Sequence, residues 1–200
     1  MMNKGETYPL LKREGTWFVI QFGGHKAYVH PSQARTIYKA AVNSAVTYTY
    51  DQLGKDIKQL EVMYHGLVSS EIIGKSVDGR NLYAVRVGKG KKEIHINGAH
   101  HAREHMTVNL LMEMIDSYSL SYVNATKIKG YNTNSILNQV SIWFVPMVNP
   151  DGVTLVQKGH TSAKNPQQVL KINGGSKDFS SWKANIRGVD LNRQYPANWN

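Results

Sequence analysis

Two hundred residues, 41% of them hydrophobic, suffice for one domain, or a domain with an appendage, around a sizeable apolar core. The formal charge of +10 favours polyanionic surroundings such as nucleic acid, an anionic membrane surface or acidic wall polymers, but scattered lysines and the lack of a zinc-finger spacing or aromatic-basic strand signature argue against dedicated nucleic-acid binding. The absence of cysteine excludes disulfides and thiolate metal sites, so a zinc ion would have to rest on His, Asp and Glu.

The opening residues, Met1 to Tyr8, lack the apolar centre of a signal peptide, and no apolar stretch is long enough to cross a bilayer. No membrane partner is expected, and the compartment stays open. Thr16-Trp-Phe-Val-Ile-Gln-Phe22 and Lys26-Ala-Tyr-Val29 are β-type runs separated by Gly23-Gly24, which predicts a hairpin. Residues 1–33 therefore read as a small β unit. Trp17, Val19, Phe22 and Ala27-Tyr-Val-His30 are similar to the closing strands of bacterial Src-homology-type barrels that attach wall hydrolases to peptidoglycan, and a plain two-stranded appendage fits them equally. Residues 34–47 show no clear periodicity and read as a linker.

Residues 48–200 carry the longer patterns. Thr49-Tyr-Asp-Gln52 has capping-box form, and Leu53, Ile57, Leu60 and Tyr64 follow at helical spacing. Ser70 to Gly74 and Asn81 to Gly88 read as strands joined by a two-residue turn at Asp78-Gly79. A third strand, Glu93 to Asn97, would lie beside them after the basic turn Lys89-Gly-Lys-Lys92. A helix from Thr107 places Val108, Leu111, Met112 and Ile115 on one face and Asn109, Glu113 and Asp116 on the other. Asn138 to Pro146 is an apolar run expected of a central strand. Asn149-Pro-Asp-Gly152 reads as a turn, and residues 153–183 as a long polar loop. Together these predict an α/β fold with a mixed sheet flanked by helices.

Between the third strand and its helix lies Gly98-Ala-His-His-Ala-Arg-Glu-His105. His101 and Glu104 stand three residues apart, so an imidazole nitrogen and a carboxylate can converge on a borderline cation such as Zn²⁺. A hydrated loop with exposed histidines is the plain alternative. His101-Ala-Arg-Glu-His105 also has the H-x-x-E-H form of a helical metalloprotease class. Asn97-Gly-Ala99 precedes the motif and helical periodicity follows it, so it is expected on a turn, which disfavours that class.

His101-Ala-Arg-Glu104, Pro146-Met-Val-Asn-Pro-Asp-Gly152 and Gly188-Val-Asp-Leu-Asn-Arg193 occur in the order and spacing of the zinc carboxypeptidase family typified by carboxypeptidase A, and the chain resembles that family from about Tyr48 to Asn200. Ser76-Val-Asp-Gly-Arg80, Trp182-Lys-Ala-Asn185 and Arg193-Gln-Tyr-Pro196 resemble its bacterial branch that cuts γ-D-glutamyl-diamino acid peptides of the cell wall. The resemblance implies zinc as cofactor, with His101 and Glu104 as its first two ligands. It implies that Arg103 lines the substrate cleft, and that Asn192 and Arg193 grip a substrate carboxylate, a task suited to a guanidinium fork and an amide donor. The expected partner is a peptide with a free carboxylate, possible peptidoglycan stem peptides included.

The resemblance covers the front half of the family's catalytic domain. The family's third zinc histidine, general-base glutamate and mobile tyrosine lie downstream of the Asn-Arg pair, where this sequence has no counterparts, so no catalytic residue is assigned. His160 is the one substitute ligand considered. The family's carbonyl-polarising arginine precedes the Asn-Arg pair; Lys183 and Arg187 lie in that region, and the role is assigned to neither. The expectation is a truncated metallopeptidase that binds carboxylate peptides and turns them over slowly. A non-catalytic peptidoglycan-binding module using the basic surface, Arg103 and Arg193 is the competing reading. An incomplete sheet would leave Val140 to Val145 with an open edge or uncovered face, which favours self-association. Family relatives are secreted or wall-associated, but that does not determine the compartment of this chain.

Overall fold

The computed structural model describes residues 4–196, and the chain divides into two compact units, Met1–Tyr38 and Lys39–Asn200. In the first, β1 (Leu10–Glu14), β2 (Trp17–Phe22) and β3 (His25–Val29) form an antiparallel three-stranded sheet in that order. Alternation along β2 turns Phe18 and Ile20 to one face, where Val29 packs with them and Phe22, Ala27 and Tyr8 close the cluster. The Gly23-Gly24 hairpin is present, with Phe22 opposite His25. The sheet has one strand more than the expected hairpin. All residues of β1 are exposed and show no alternation; pairing with β2, Arg13 opposite Phe18, makes the segment a strand.

The second unit begins without helix or strand, yet residues 41–46 are firmly held. Ala41 and Val42 N–H groups donate to Asp116 Oδ2 at 2.6 and 2.8 Å. Asn109 Nδ2 donates to the Ser44 and Val46 carbonyls at 2.8 and 2.6 Å. Asp116 also accepts from Tyr64 Oη at 2.5 Å and is 1% exposed. The polar side of the second helix is therefore covered, because a buried carboxylate needs donors and the stretch expected as a linker supplies two.

Helix α1 (Tyr50–Met63) starts at Thr49, whose side chain accepts from the Gln52 N–H. The reciprocal half of the capping box is not made, since Gln52 Nε2 donates to Asp56 at 2.8 Å. Strands β4 (Val68–Lys75), β5 (Asn81–Gly88) and β6 (Lys92–Asn97) follow, then a 3-10 turn (Ala102–Glu104) and α2 (Met106–Val123). A short hairpin, β7 (Lys127–Ile128) and β8 (Tyr131–Asn132), leads to α3 (Thr133–Gln139), β9 (Val140–Val145), α4 (Pro150–Lys158) and α5 (Pro166–Ile172). Among the described residues no helix is long and apolar enough to cross a membrane.

The main sheet runs β4-β5-β9-β6, with β5 antiparallel and β6 parallel to β9. It is mixed and flanked by helices, as expected, but β9 inserts between β5 and β6, which the sequence had placed side by side. The parallel β6-β9 pair needs a crossover, and α2 provides it. Ile142 and Phe144 of β9 face Val87 and Val85 of β5, and all four side chains are buried. Because β9 is bonded on both sides, the sheet edges among the described residues fall instead on β4 and β6. The β6 edge carries Lys92, Glu93 and His95, charged or polar groups of the kind that discourage strand addition, whereas β4 exposes Ile72 and Ile73.

Three further readings are corrected. The β4-β5 connection is a five-residue loop, Ser76 to Arg80, since Lys75 pairs with Asn81; Ser76 closes it by accepting the Arg80 N–H at 2.9 Å. Asn149-Pro-Asp-Gly152 is a helix start: Asn149 caps α4 by accepting the Gly152 N–H, and Pro150 occupies its first turn. The supposed polar loop contains most of α4 and all of α5, the latter capped in the same way by Asn165. It folds over a core of Leu155, Ala163, Val169, Phe179 and Ile186, apolar residues too widely spaced among polar ones to show periodicity.

Gly90 illustrates how tightly the β5-β6 connection lies against β9. A Cβ there would overlap the backbone of Gln139 and Val140, and its carbonyl accepts from Ser141 Oγ at 2.7 Å. Gly90→Ala is expected to lower stability by about 1–3 kcal/mol, whereas the exposed neighbour Lys91→Ala should stay within about 0.5 kcal/mol. Urea midpoints compare the two; equal midpoints would show that this loop moves away freely.

Candidate metal centre

The ends of β6 and β9 lie side by side, Asn97 opposite Val145, and the chain leaves both in company. Gly98 N–H donates to the Val145 carbonyl at 3.1 Å, Val148 N–H to Gly98 at 3.0 Å, and Asn149 N–H to Ala99 at 3.1 Å. Ala99 turns the backbone at φ 52°, and Thr107 Oγ1 holds the turn by accepting its N–H and donating to the Glu104 carbonyl, both at 2.8 Å. From the other side, Ala102 and Arg103 N–H groups donate to the Lys183 and Trp182 carbonyls at 3.0 Å. Asn149 Nδ2 donates to the His100 and Ala184 carbonyls at 3.1 and 3.0 Å. The motif is thus fixed by main-chain bonds from two segments, residues 145–149 and 182–183, and by the side chains of Thr107 and Asn149.

On this frame His101 Nδ1 lies 3.0 Å from Glu104 Oε1, and His101 Nε2 lies 3.2 Å from Asp190 Oδ1. Both ring nitrogens face carboxylate oxygens. A neutral imidazole has one N–H to donate, so the second contact needs either another proton or a cation between nitrogen and oxygen. Two ligands about 2.1 Å from a tetrahedral zinc stand roughly 3.4 Å apart, wider than the 3.0 Å seen here, which is a direct hydrogen-bond distance. The donor types, an imidazole nitrogen and a carboxylate oxygen, are ones that zinc accepts, and Asp190 meets the other ring nitrogen.

Asp190 is the residue that sequence reasoning missed. It precedes the 3-10 turn Leu191–Arg193 and accepts the Asn192 N–H at 3.1 Å, while its Oδ2 lies 3.6 Å from Arg193 Nε. A carboxylate two residues before the Asn-Arg pair was the available signal. Asn192 and Arg193 are thereby tethered to the partner of His101, and both are exposed. Arg103 is exposed on the motif itself. His100 Nε2 bonds Tyr195 Oη at 2.7 Å; burial, then the neighbouring His101, lower its pKa.

His160 is stacked on Phe179 at 6.5 Å between centroids, and among the described residues no group of three His, Asp or Glu side chains stands ready to hold a metal. Lys183 and Arg187 are both exposed, and among the described residues no contact singles out either for the polarising role. His101 is extended, at φ −85° and ψ 128°, and α2 begins only at Met106. His101 and His105 do not share a helix face, so the H-x-x-E-H reading fails on backbone geometry.

The profile of the zinc carboxypeptidase family matches residues 53–200. This chain belongs to the zinc carboxypeptidase family. A gamma-D-glutamyl-L-diamino acid endopeptidase 1 of Lysinibacillus sphaericus is 40% identical over 161 residues, 79% of this chain and 40% of the relative. A zinc carboxypeptidase of Saccharothrix mutabilis subsp. capreolus is 27% identical over 164 residues, 76% of this chain and 33% of the relative. The chain spans less than half the length of these curated relatives. Among solved structures, thrombin activatable fibrinolysis inhibitor superposes with a TM-score of 0.60 at 20% identity, over 78% of this chain and 36% of the other. Carboxypeptidase A from Helicoverpa armigera superposes at 0.56 and 19% identity, over 80% and 36%. At such identities the two structures speak for the fold alone, and the carboxypeptidase fold is what they share with this zinc carboxypeptidase family chain.

Proposed function

We propose that this zinc carboxypeptidase family chain binds zinc through His101 and Glu104 and serves peptide hydrolysis on substrates bearing a free carboxylate, the γ-D-glutamyl-diamino acid peptides of bacterial walls being the class favoured by the Lysinibacillus relative's name. The observation that carries the reading is the approach of His101 Nδ1 to Glu104 Oε1 at 3.0 Å while Nε2 is occupied by Asp190. When bound, zinc acts as a Lewis acid toward a scissile carbonyl and toward water. Glu104 and the imidazole of His101, oriented by Asp190, would hold the cation. Asn192 and Arg193 then orient the substrate by its carboxylate, the fork of Arg193 donating to both oxygens in parallel, and Arg103 lines the same cleft.

Two protein ligands leave half of a tetrahedral shell to water or a buffer anion, so zinc affinity of the 200-residue chain is expected to be weak. His101→Ala or Glu104→Ala should abolish it in equilibrium dialysis. One tightly held zinc per chain that survives His101→Ala would overturn the assignment. The competing reading, a binding module without chemistry, predicts peptide binding indifferent to zinc, and dialysis of a labelled peptide with and without the metal separates the two.

A further inference from the structure

The adjacent imidazoles His100 and His101 reach the same short segment from its two ends. His101 Nε2 contacts Asp190 Oδ1 at 3.2 Å, two residues before Asn192. His100 Nε2 contacts Tyr195 Oη at 2.7 Å, two residues after Arg193, and their rings lie 5.8 Å apart between centroids. We infer that His100 and Tyr195 are positioning residues, the second jaw of a two-histidine clasp that fixes Asn192 and Arg193 beside the metal motif for recognition of a substrate carboxylate. The inference rests on the reading of Asn192 and Arg193 as the carboxylate grip.

The clasp acts on an exposed segment. Residues 192–196 are exposed throughout, and Arg193 Nε is 3.6 Å from Asp190 Oδ2 with 69% of its side chain in solvent. Local bonds hold the start of the segment: Arg193 N–H to the Asp190 carbonyl and Gln194 N–H to Leu191, both at 3.2 Å, and Gln194 Nε2 to Asp190 at 3.1 Å. The Tyr195 hydroxyl carries the segment's far end across to the motif, and His100 is itself anchored, because its carbonyl accepts from Asn149 Nδ2 at 3.1 Å. A loop pinned at both ends presents its guanidinium with less conformational entropy left to lose on binding, which appears as affinity for the group it grips.

The test compares binding of γ-D-glutamyl-L-lysine with that of its C-terminal amide by calorimetry, reading the acid-to-amide affinity ratio. Tyr195→Phe and His100→Leu are each expected to reduce the ratio about three- to tenfold, the range of one hydrogen bond. His100→Gln, whose amide reaches about as far as Nε2, should restore most of it. Zinc affinity should be unchanged in Tyr195→Phe. Arg193→Ala tests the underlying reading separately: a ratio it leaves intact removes the carboxylate grip. A ratio that falls in Arg193→Ala but stays at the parent value in Tyr195→Phe and His100→Leu overturns the clasp. Amide hydrogen exchange at Asn192 and Arg193, measured without ligand, is expected to rise about tenfold in Tyr195→Phe; unchanged exchange would also overturn it.

Discussion

Asp151→Ala is expected to lose about 3–5 kcal/mol of folding stability in urea unfolding, the cost of breaking one partner out of a buried ion pair. Asp151 is 3% exposed and accepts from Arg80 Nη1 and Ser76 Oγ at 2.7 Å and from the Asp78 N–H at 2.9 Å. Its removal would take the shared acceptor from three donors at once, on the loop that it ties to the first turn of α4. Arg80 keeps a longer contact with Asp78 at 3.6 Å and a bond to the Ser162 carbonyl at 3.2 Å, which places the loss toward the lower end. The exposed pair Lys158 and Asp51, 3.5 Å apart, is the control, and Lys158→Ala should change stability by less than about 1 kcal/mol. The site should feel the change as well. Gly152, next to Asp151, is packed so closely on the 3-10 turn that a Cβ would stand 2.8 Å from Ala102 Cβ. A loss as small as that of the control would mean the network is solvated.

Asp190→Asn is expected to lower zinc affinity about 10- to 100-fold, the usual cost of removing the carboxylate behind a metal-bound histidine. The substitution keeps an acceptor oxygen for His101 Nε2 and for the Asn192 N–H, bonds of 3.2 and 3.1 Å, so the turn should fold while the charge behind the ring is gone. Competition against a chelating indicator measures the affinity, and the urea midpoint checks the fold. Equal affinities with an unchanged midpoint would show that Asp190 caps its turn and does no more. His101→Ala in the same assay gives the floor.

The motifs were legible in sequence because metal chemistry restricts residue type and spacing: the three-residue separation singled out His101 and Glu104, the family resemblance implied zinc ligation, and the structure brings an imidazole nitrogen and a carboxylate oxygen to 3.0 Å. Helices α1 and α2 and the strands of the main sheet were legible for a different reason, since long periodic burial leaves a long periodic pattern. Shorter elements were not. β1 has no alternation of its own, and α4 and α5 are short helices whose Asn caps and leading prolines also fit turns. Asp190 stood in plain view, but its role depends on an imidazole 89 residues earlier.

By itself the sequence determined the α/β class, the turn carrying His101 and Glu104, the membership signal in three ordered motifs, and a basic, cysteine-free composition that excludes thiolate ligands from any metal site. Tertiary structure alone decided that β9 enters between β5 and β6, because strand order depends on which apolar faces find each other across the crossover. It also decided that Asp116 and Asp151 are buried. Whether a carboxylate sits in water or in the core depends on donors supplied from 75 residues away, Ala41 in one case and Ser76 in the other, and a one-dimensional pattern carries no record of so distant a partner.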